Sequence, residues 1–117
     1  MSPTCNSISA DRMTWQPHPR FRGVEIAYLV TREKDDVDVT FALVRLPVGS
    51  QPDKHVHEHS DDIVFVLQGK ATMWIDGVGD VALTKGCFLR VPQGVQHQPR
   101  NIEEDVLLYN VWLPALT

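Results

Sequence analysis

The 117-residue sequence lacks the features that mark several protein classes. It has no apolar run approaching the roughly 18 residues that a membrane helix needs, and its first twenty residues show neither the basic nor the apolar region of a signal peptide. With 11 Lys and Arg against 15 Asp and Glu, it carries a net charge of −4 and offers no basic surface for nucleic acid. We therefore expect a cytoplasmic protein that binds neither membranes nor nucleic acid.

Cysteine is scarce as well. Cys5 and Cys87 are too few for a disulfide framework, and we expect both to be reduced thiols. The length fits one domain, and a chain of this size buries roughly two-thirds of its unfolded surface without the help of a structural metal. Any metal ion bound by this protein would therefore serve its function.

Helical periodicity is also missing, whereas short segments rich in Val, Ile and aromatic residues recur along the chain. From Gly69 onward, turn signals return every eight or nine residues. This spacing predicts an all-β antiparallel sandwich or barrel with little helix. The predicted strands are Val24–Val30, Val39–Leu46, Ile63–Leu67, Ala71–Ile75, Val81–Leu83, Phe88–Val91 and Val106–Leu113.

The turns and the N-terminus complete this outline. Asp76-Gly77 predicts a hairpin with a type I′ turn, because Asp and Gly both tolerate positive φ. The charged segment Arg32–Asp38 is interpreted as a solvated hairpin loop. The polar residues 1–14 are interpreted as a flexible leader, and residues 15–117 as a single domain.

Three of the five histidines, His55, His57 and His59, lie within five residues. If this segment is a strand, His55 and His57 face the same side and can bind one ion, since neutral imidazole is a common ligand of transition metals. Asp62 returns to that side only if a bulge or short turn resets the alternation. The alternative is an exposed, histidine-rich loop.

A second segment makes the metal site the stronger interpretation. Gly86 ends a hairpin, a short apolar strand follows, and Pro92 with Gly94 forms a tight turn that directs His97 back into the fold. His97 is then the obvious further ligand.

These two segments resemble the two motifs of the cupin superfamily. The first motif is matched by Gly49, His55, His57, Asp62 and Gly69, and the second by Gly86, Pro92, Gly94, His97 and Asn101. The resemblance implies a double-stranded β-helix, or jelly-roll barrel, with one divalent metal (Fe, Mn, Ni, Zn or Cu) held by His55, His57, Asp62 and His97. Most cupins have Glu where this chain has Asp62, so His59 is an alternative fourth ligand.

Such a site suits a metal-dependent enzyme that acts on a small molecule, and we expect a dioxygenase. A non-catalytic binding or sensing module and a metal-dependent isomerase or lyase are the alternatives. Except for Asn110, the segment Val106–Leu113 is apolar on both faces, which indicates a homodimer. Arg45 and Arg90 are weak candidates for anchoring a substrate carboxylate, because solvent-facing arginines are more common. The candidate pocket walls are Phe41, Phe65, Met73, Trp74, Phe88, Tyr109 and Trp112.

Overall fold

The computed structural model describes residues 5–117. Strands account for 51% of the chain and helix for 6%, which confirms the all-β prediction. The strands are β1 (Gln16–Pro17), β2 (Glu25–Val30), β3 (Thr40–Leu46), β4 (Asp61–Ile75), β5 (Gly79–Thr84), β6 (Phe88–Val91) and β7 (His97–Leu113). A 3-10 turn at Ala10–Arg12 and the short helix α1 (Arg32–Asp35) are the remaining elements.

Every strand pairs antiparallel with its neighbours, in the order β1-β2-β3-β7-β4-β5, with β6 also bonded to β4. The first part of β4 lies between β6 and β7, and its last part lies between β5 and β7. The two long strands therefore form the middle of a folded sheet. Among residues 5–117 the ladder does not close into a complete barrel, but the arrangement matches the expected jelly roll.

Two predicted strand boundaries are wrong. Ile63–Leu67 and Ala71–Ile75 belong to one continuous strand, because Gly69 forms a bulge and not a turn. Its φ is +99°, and a Cβ there would overlap the carbonyl oxygen of Asp105 and lie 2.6 Å from the Cα of Val106. Strand β7 begins at His97 and not at Val106, with Asn101 at a φ of +51° inside it.

The hairpin at Asp76-Gly77 is confirmed, but the predicted type I′ turn is wrong. The loop spans Asp76–Val78, and the Val78 N–H donates to the carbonyl of Ile75 at 3.0 Å. Gly77 has a φ of +81° whereas Asp76 does not have a positive φ, so the turn lacks the second left-handed residue of type I′. Type I′ turns are typical of two-residue loops, whereas this loop has three residues, so Asp76 does not need a positive φ.

The charged segment between β2 and β3 does connect a hairpin, and it contains one helical turn. Thr31 caps α1, since its Oγ1 accepts a hydrogen bond from the Lys34 N–H at 3.1 Å. The first four residues of the expected leader lie outside the described residues. Beyond them, the Asn6 side chain donates to the carbonyl of Leu29 at 3.1 Å.

The apolar core lies between the folded halves of the sheet. Along β4 the side chains alternate, so that Asp62, Val64 and Val66 are buried while Phe65 is exposed. The inward row of β7 contributes Val106, Leu108, Asn110 and Trp112. Polar side chains are thus placed at one end of an otherwise apolar interior, and they form the site described next.

Candidate metal centre

The structure brings His55 and His97 together through their backbones. Each N–H donates to the other residue's carbonyl at 2.9 Å, which makes an isolated antiparallel bridge. The ring centroids lie 4.2 Å apart. Apart from this single bridge, His55 is not part of any strand. Its position therefore depends on the bridge and not on the strand that the sequence predicts.

The same two rings are oriented by hydrogen bonds on their outer nitrogens. The Nδ1 of His55 lies 3.1 Å from the carbonyl oxygen of Asp53, and the Nδ1 of His97 lies 3.0 Å from that of Val95. A carbonyl only accepts, so each Nδ1 carries the proton. The Nε2 of each ring is then the nitrogen available as a metal ligand.

Asp62 is the second residue of β4 and is buried at the centre of the cluster. Its Oδ2 lies 3.1 Å from the Nε2 of His97 and 3.5 Å from the Nε2 of His57. Its Oδ1 accepts a hydrogen bond from the Asn110 side-chain amide at 3.1 Å. The carboxylate is therefore held by strand alternation on β4 and by a partner on β7.

His57 lies in the loop before β4, and the turn at Glu58-His59 allows Asp62 to share its side. One candidate ligand atom from each of His55, His57, Asp62 and His97 lies within 4.8 Å of the other three. His59, the alternative to Asp62, is exposed and lies outside this group. The structure thus brings together the four residues that the cupin resemblance implies as ligands, without His59.

Burial and charge perturb the titration of this cluster. Burial alone would raise the pKa of Asp62, but the hydrogen bonds and positive charge that His57 and His97 offer when their rings are protonated outweigh it and hold that pKa well below the usual range. Burial, with the neighbouring His97, lowers the pKa of His55 to about 4. At neutral pH the cluster therefore contains an ionised carboxylate and a neutral His55, the forms in which both groups bind metals.

A cavity of about 100 Å³ adjoins the cluster. His55, His57 and Asp62 form its polar part, while the arm His18–Phe21 and Leu116 form another side. Of the predicted wall residues, Met73 and Trp112 line this cavity, whereas Phe41, Phe65, Trp74, Phe88 and Tyr109 do not. The other apolar and aromatic lining residues are Ile26, Tyr28, Val44, Leu46, Val64, Pro99 and Leu108.

Sequence reasoning missed His18, which lines this cavity. Its Nδ1 accepts hydrogen bonds from the N–H groups of Arg20 and Phe21 at 3.0 and 3.1 Å, so neutral His18 carries its proton on Nε2. No spacing links His18 to the other histidines, because it enters the site from an arm more than thirty residues earlier. Only the fold identifies it.

Neither candidate arginine lines the cavity. Arg45 is exposed, forms an ion pair with Glu25 at 3.5 Å and lies 3.7 Å from the ring centroid of Trp15. Arg90 forms an ion pair with Asp61 at 2.8 Å on the surface. Both side chains therefore face solvent, which is the more common arrangement for arginine.

Comparison with known proteins identifies the family of this chain. The sequence pattern of the family described as "Cupin domain" matches residues 42–113. The chain belongs to the cupin family. The matched region runs from β3 to the end of β7 and includes all four clustered residues. Within the described residues, no helix has the length and apolar character needed to cross a membrane.

Three similar proteins illustrate the range of names among the matches. The chain is 33% identical over 70 residues to quercetin 2,3-dioxygenase from Bacillus subtilis (strain 168), covering 60% of this chain and 20% of that protein. It superposes on a predicted oxalate decarboxylase from Thermotoga maritima with a TM-score of 0.80 and 25% identity, over 92% of this chain and 98% of the other. An RmlC-like cupin from Shewanella frigidimarina gives a TM-score of 0.79 at 18% identity, over 99% and 96% of the two chains.

Proposed function

We propose that this cupin binds one divalent transition metal ion through His55, His57, Asp62 and His97 and uses it on a small molecule in the adjoining cavity. One observation carries the metal proposal. The Nε2 of His97 and the Oδ2 of Asp62 lie 3.1 Å apart, while the Nδ1 of His97 is committed to Val95. A neutral His97 would therefore direct a lone pair at a carboxylate oxygen, and a cation between the two atoms removes this repulsion.

The donor set fits such an ion. Metal–ligand bonds of about 2.1 Å place two donors of one ion at most about 4.2 Å apart. The four donor atoms span up to 4.8 Å, so shifts of about half an ångström bring them into range. Three imidazoles and one carboxylate suit Fe, Mn, Ni, Zn or Cu. A bound ion of this kind supplies a Lewis acid or, for a redox metal, a centre for oxygen chemistry.

The chain itself supplies the enclosure and the polar contacts of the reaction site. The mainly apolar lining lies beside the cluster, and electrostatic interactions strengthen where a ligand displaces water from such a lining. His18 contributes an N–H donor from the arm that covers the cavity. Both features favour a small ligand that lies beside the four clustered residues and is partly screened from solvent.

A dioxygenase is the reaction class that we favour, because the chain is 33% identical over 70 residues to quercetin 2,3-dioxygenase. A lyase is the second candidate. It is favoured by the whole-length likeness to a predicted oxalate decarboxylase and by a cavity of only about 100 Å³. A protein that binds metal and ligand without turnover would be a sensing or storage module.

Metal binding is tested with a matched pair of variants, His57→Ala and His59→Ala. Both remove a histidine from the same segment, but only His57 belongs to the cluster. After metal removal and reloading with each of the five metals, we expect His57→Ala to lower affinity at least about tenfold and His59→Ala to leave it unchanged. Equal behaviour of the two variants would contradict the ligand assignment.

The reaction class is tested by oxygen uptake and by CO₂ release. The wild-type protein, loaded with the metal that it retains most tightly, is incubated with catechol, thiol, diketone and small dicarboxylate substrates. Oxygen uptake supports the dioxygenase, and CO₂ release without oxygen uptake supports the lyase. Tight metal binding with neither signal supports the non-catalytic module. The His57→Ala variant is the control for activity that does not come from the site.

We also propose a homodimer formed through the outer face of the sheet. Phe65 and Phe88 are register partners on β4 and β6, and they are 42% and 67% exposed. Leu113 at the end of β7 is 51% exposed. Light scattering should give twice the monomer mass for the wild type and for Val78→Ser, a change in the exposed hairpin loop, but not for Phe88→Ser. A monomeric wild type would refute the proposal.

A further inference from the structure

Two residues that line the cavity each carry a side-chain polar atom without a partner in the described part of the chain. The side-chain oxygen of Asn110 and the indole N–H of Trp112 are buried and form no hydrogen bond with any part of the chain that the structure describes. Each residue is only 4% exposed, and both line the cavity. Leaving such atoms unsatisfied is costly, so buried polar groups usually have a partner.

The two atoms belong to one face of one strand. Asn110 and Trp112 are two residues apart on β7, so their side chains lie on the same side of the sheet. Asn110 is fixed in orientation, because its amide nitrogen donates to Asp62 and its oxygen is left as the free end. The pair therefore offers one hydrogen-bond acceptor, on Asn110, and one donor, on Trp112. Asn110 is also bonded to Asp62 of the candidate metal centre.

A hydroxyl group matches this pair, since it accepts one hydrogen bond and donates another. A carboxylate or ketone oxygen would satisfy Trp112 but would leave the oxygen of Asn110 facing a second acceptor. A water molecule would also satisfy both, and the experiment below separates that case. Most of the other lining residues are apolar, so the body of the ligand is apolar.

The cavity also limits size. A volume of about 100 Å³ is smaller than the roughly 150 Å³ of a protein cavity that accommodates benzene. The buried part of the ligand is therefore a short group of a few non-hydrogen atoms, and a molecule as large as a flavonol would enter only with one edge.

We propose that Asn110 and Trp112 together bind the hydroxyl group of a small, mainly apolar substrate. The inference rests on the proposed function in calling this molecule the substrate, since the pair lies beside the candidate metal centre. It defines the substrate class as small alcohols or hydroxyl-bearing edges of larger molecules, and it makes Trp112 a specificity residue.

The test uses three probes with the same isobutyl skeleton. Isobutanol donates and accepts, isobutyronitrile only accepts, and isobutyl chloride does neither to a useful extent. Affinities are measured by NMR titration for the wild type, for Trp112→Phe and for the control Trp74→Phe. Trp74 lies outside the cavity, with Lys54 Nζ 4.6 Å from its ring centroid. The titrations use both metal-free and Zn²⁺-loaded protein.

We expect Trp112→Phe to lower the ratio of isobutanol affinity to isobutyl chloride affinity about tenfold, and Trp74→Phe to leave the ratio unchanged. The wild type should also bind isobutanol several-fold more tightly than isobutyronitrile, because only the alcohol can donate to Asn110. In the wild type, isobutanol should shift the indole N–H resonance of Trp112, which is assigned by its loss in Trp112→Phe. The response of this resonance is measured in the wild type, and Trp112→Phe serves only to assign it.

Three results would overturn the inference: an affinity ratio that does not change in Trp112→Phe, a nitrile that binds as well as the alcohol, or an indole resonance that does not respond. Any of these would mean that water or no ligand satisfies the pair. Failure of the metal proposal gives a different pattern, namely no metal uptake with the hydroxyl preference still present in the metal-free protein.

Discussion

Acidification should destabilise the metal-free protein because of His55. Burial, and next to it the neighbouring His97, lowers the pKa of His55 to about 4 from an ordinary value of 6.5. Between pH 4 and pH 6.5, His55 is therefore protonated in the unfolded chain but neutral in the folded chain. In this window stability falls as pH falls, with a limiting slope of about 1.4 kcal/mol per pH unit. Above pH 6.5 the group has no further effect.

The size of the loss follows from the width of the window. A shift of 6.5 − 4 = 2.5 units corresponds to about 3 kcal/mol, a large share of the 5–15 kcal/mol that typically stabilises a domain. Carboxylates such as Asp62, whose pKa is lowered, lose their contribution only near and below pH 3.8, so they do not obscure this window. His18, whose pKa is lowered mainly by burial, acts in the same direction as His55.

The assay is urea unfolding of the metal-free protein at intervals from pH 7.5 to pH 4.5, with the free energy of unfolding plotted against pH. The wild type and the control His59→Gln should lose stability over this range, and His55→Asn should show a much smaller slope. A wild-type curve that stays flat between pH 6.5 and pH 5 would refute the reasoning that the fold buries His55 in its neutral form.

Two further substitutions test the placement of the site. Gly69→Ala should cost several kcal/mol in urea unfolding, because a Cβ at Gly69 meets the backbone of Asp105 and Val106, whereas Gly86→Ala, with a similar φ of +88° but open space around it, should cost only about 1–2 kcal/mol. Equal costs would mean that the close approach of β4 and β7 is not needed. Asp62→Asn keeps the shape of the side chain but removes its charge, and should lower metal affinity at least about tenfold in a competition titration with a chelator. Retained affinity in Asp62→Asn, together with a loss in His59→Ala, would favour the alternative ligand.

The limits of the sequence prediction have physical causes. The short segments rich in Val, Ile and aromatic residues and the recurring turn signals are enough to predict the fold class, and the two histidine-bearing segments are enough to predict the cluster. Gly69 was misinterpreted because a glycine with positive φ serves a bulge as well as a turn, and the difference depends on whether a second strand lies against it. His57 was assigned to a strand because its neighbours alternate, yet a single bridge between His55 and His97 replaces that strand.

The parts of the site that the sequence did not reveal depend on contacts between distant segments. His18 enters the cavity from the N-terminal arm, and no local pattern could pair it with β4 or β7. Asn110 was visible only as one polar residue in an apolar strand. Its role became apparent once Asp62 was placed opposite it, since a hydrogen bond of 3.1 Å then fixes which end of the amide is free.

The composition of the cluster argues against a purely structural role. Stability alone would be served as well or better by apolar side chains at these buried positions, because the desolvation of charged groups often outweighs their mutual attraction. Here three imidazoles surround one buried carboxylate, and the outer nitrogens of His55 and His97 are committed to backbone carbonyls. That commitment leaves a lone pair on the inner nitrogen of each ring, and the inner nitrogen of His97 lies 3.1 Å from the Oδ2 of Asp62. Protonation relieves this contact only by charging a buried ring. A metal ion relieves it with those two rings neutral, which is why the orientation of the two rings supports a metal centre more strongly than the number of histidines does.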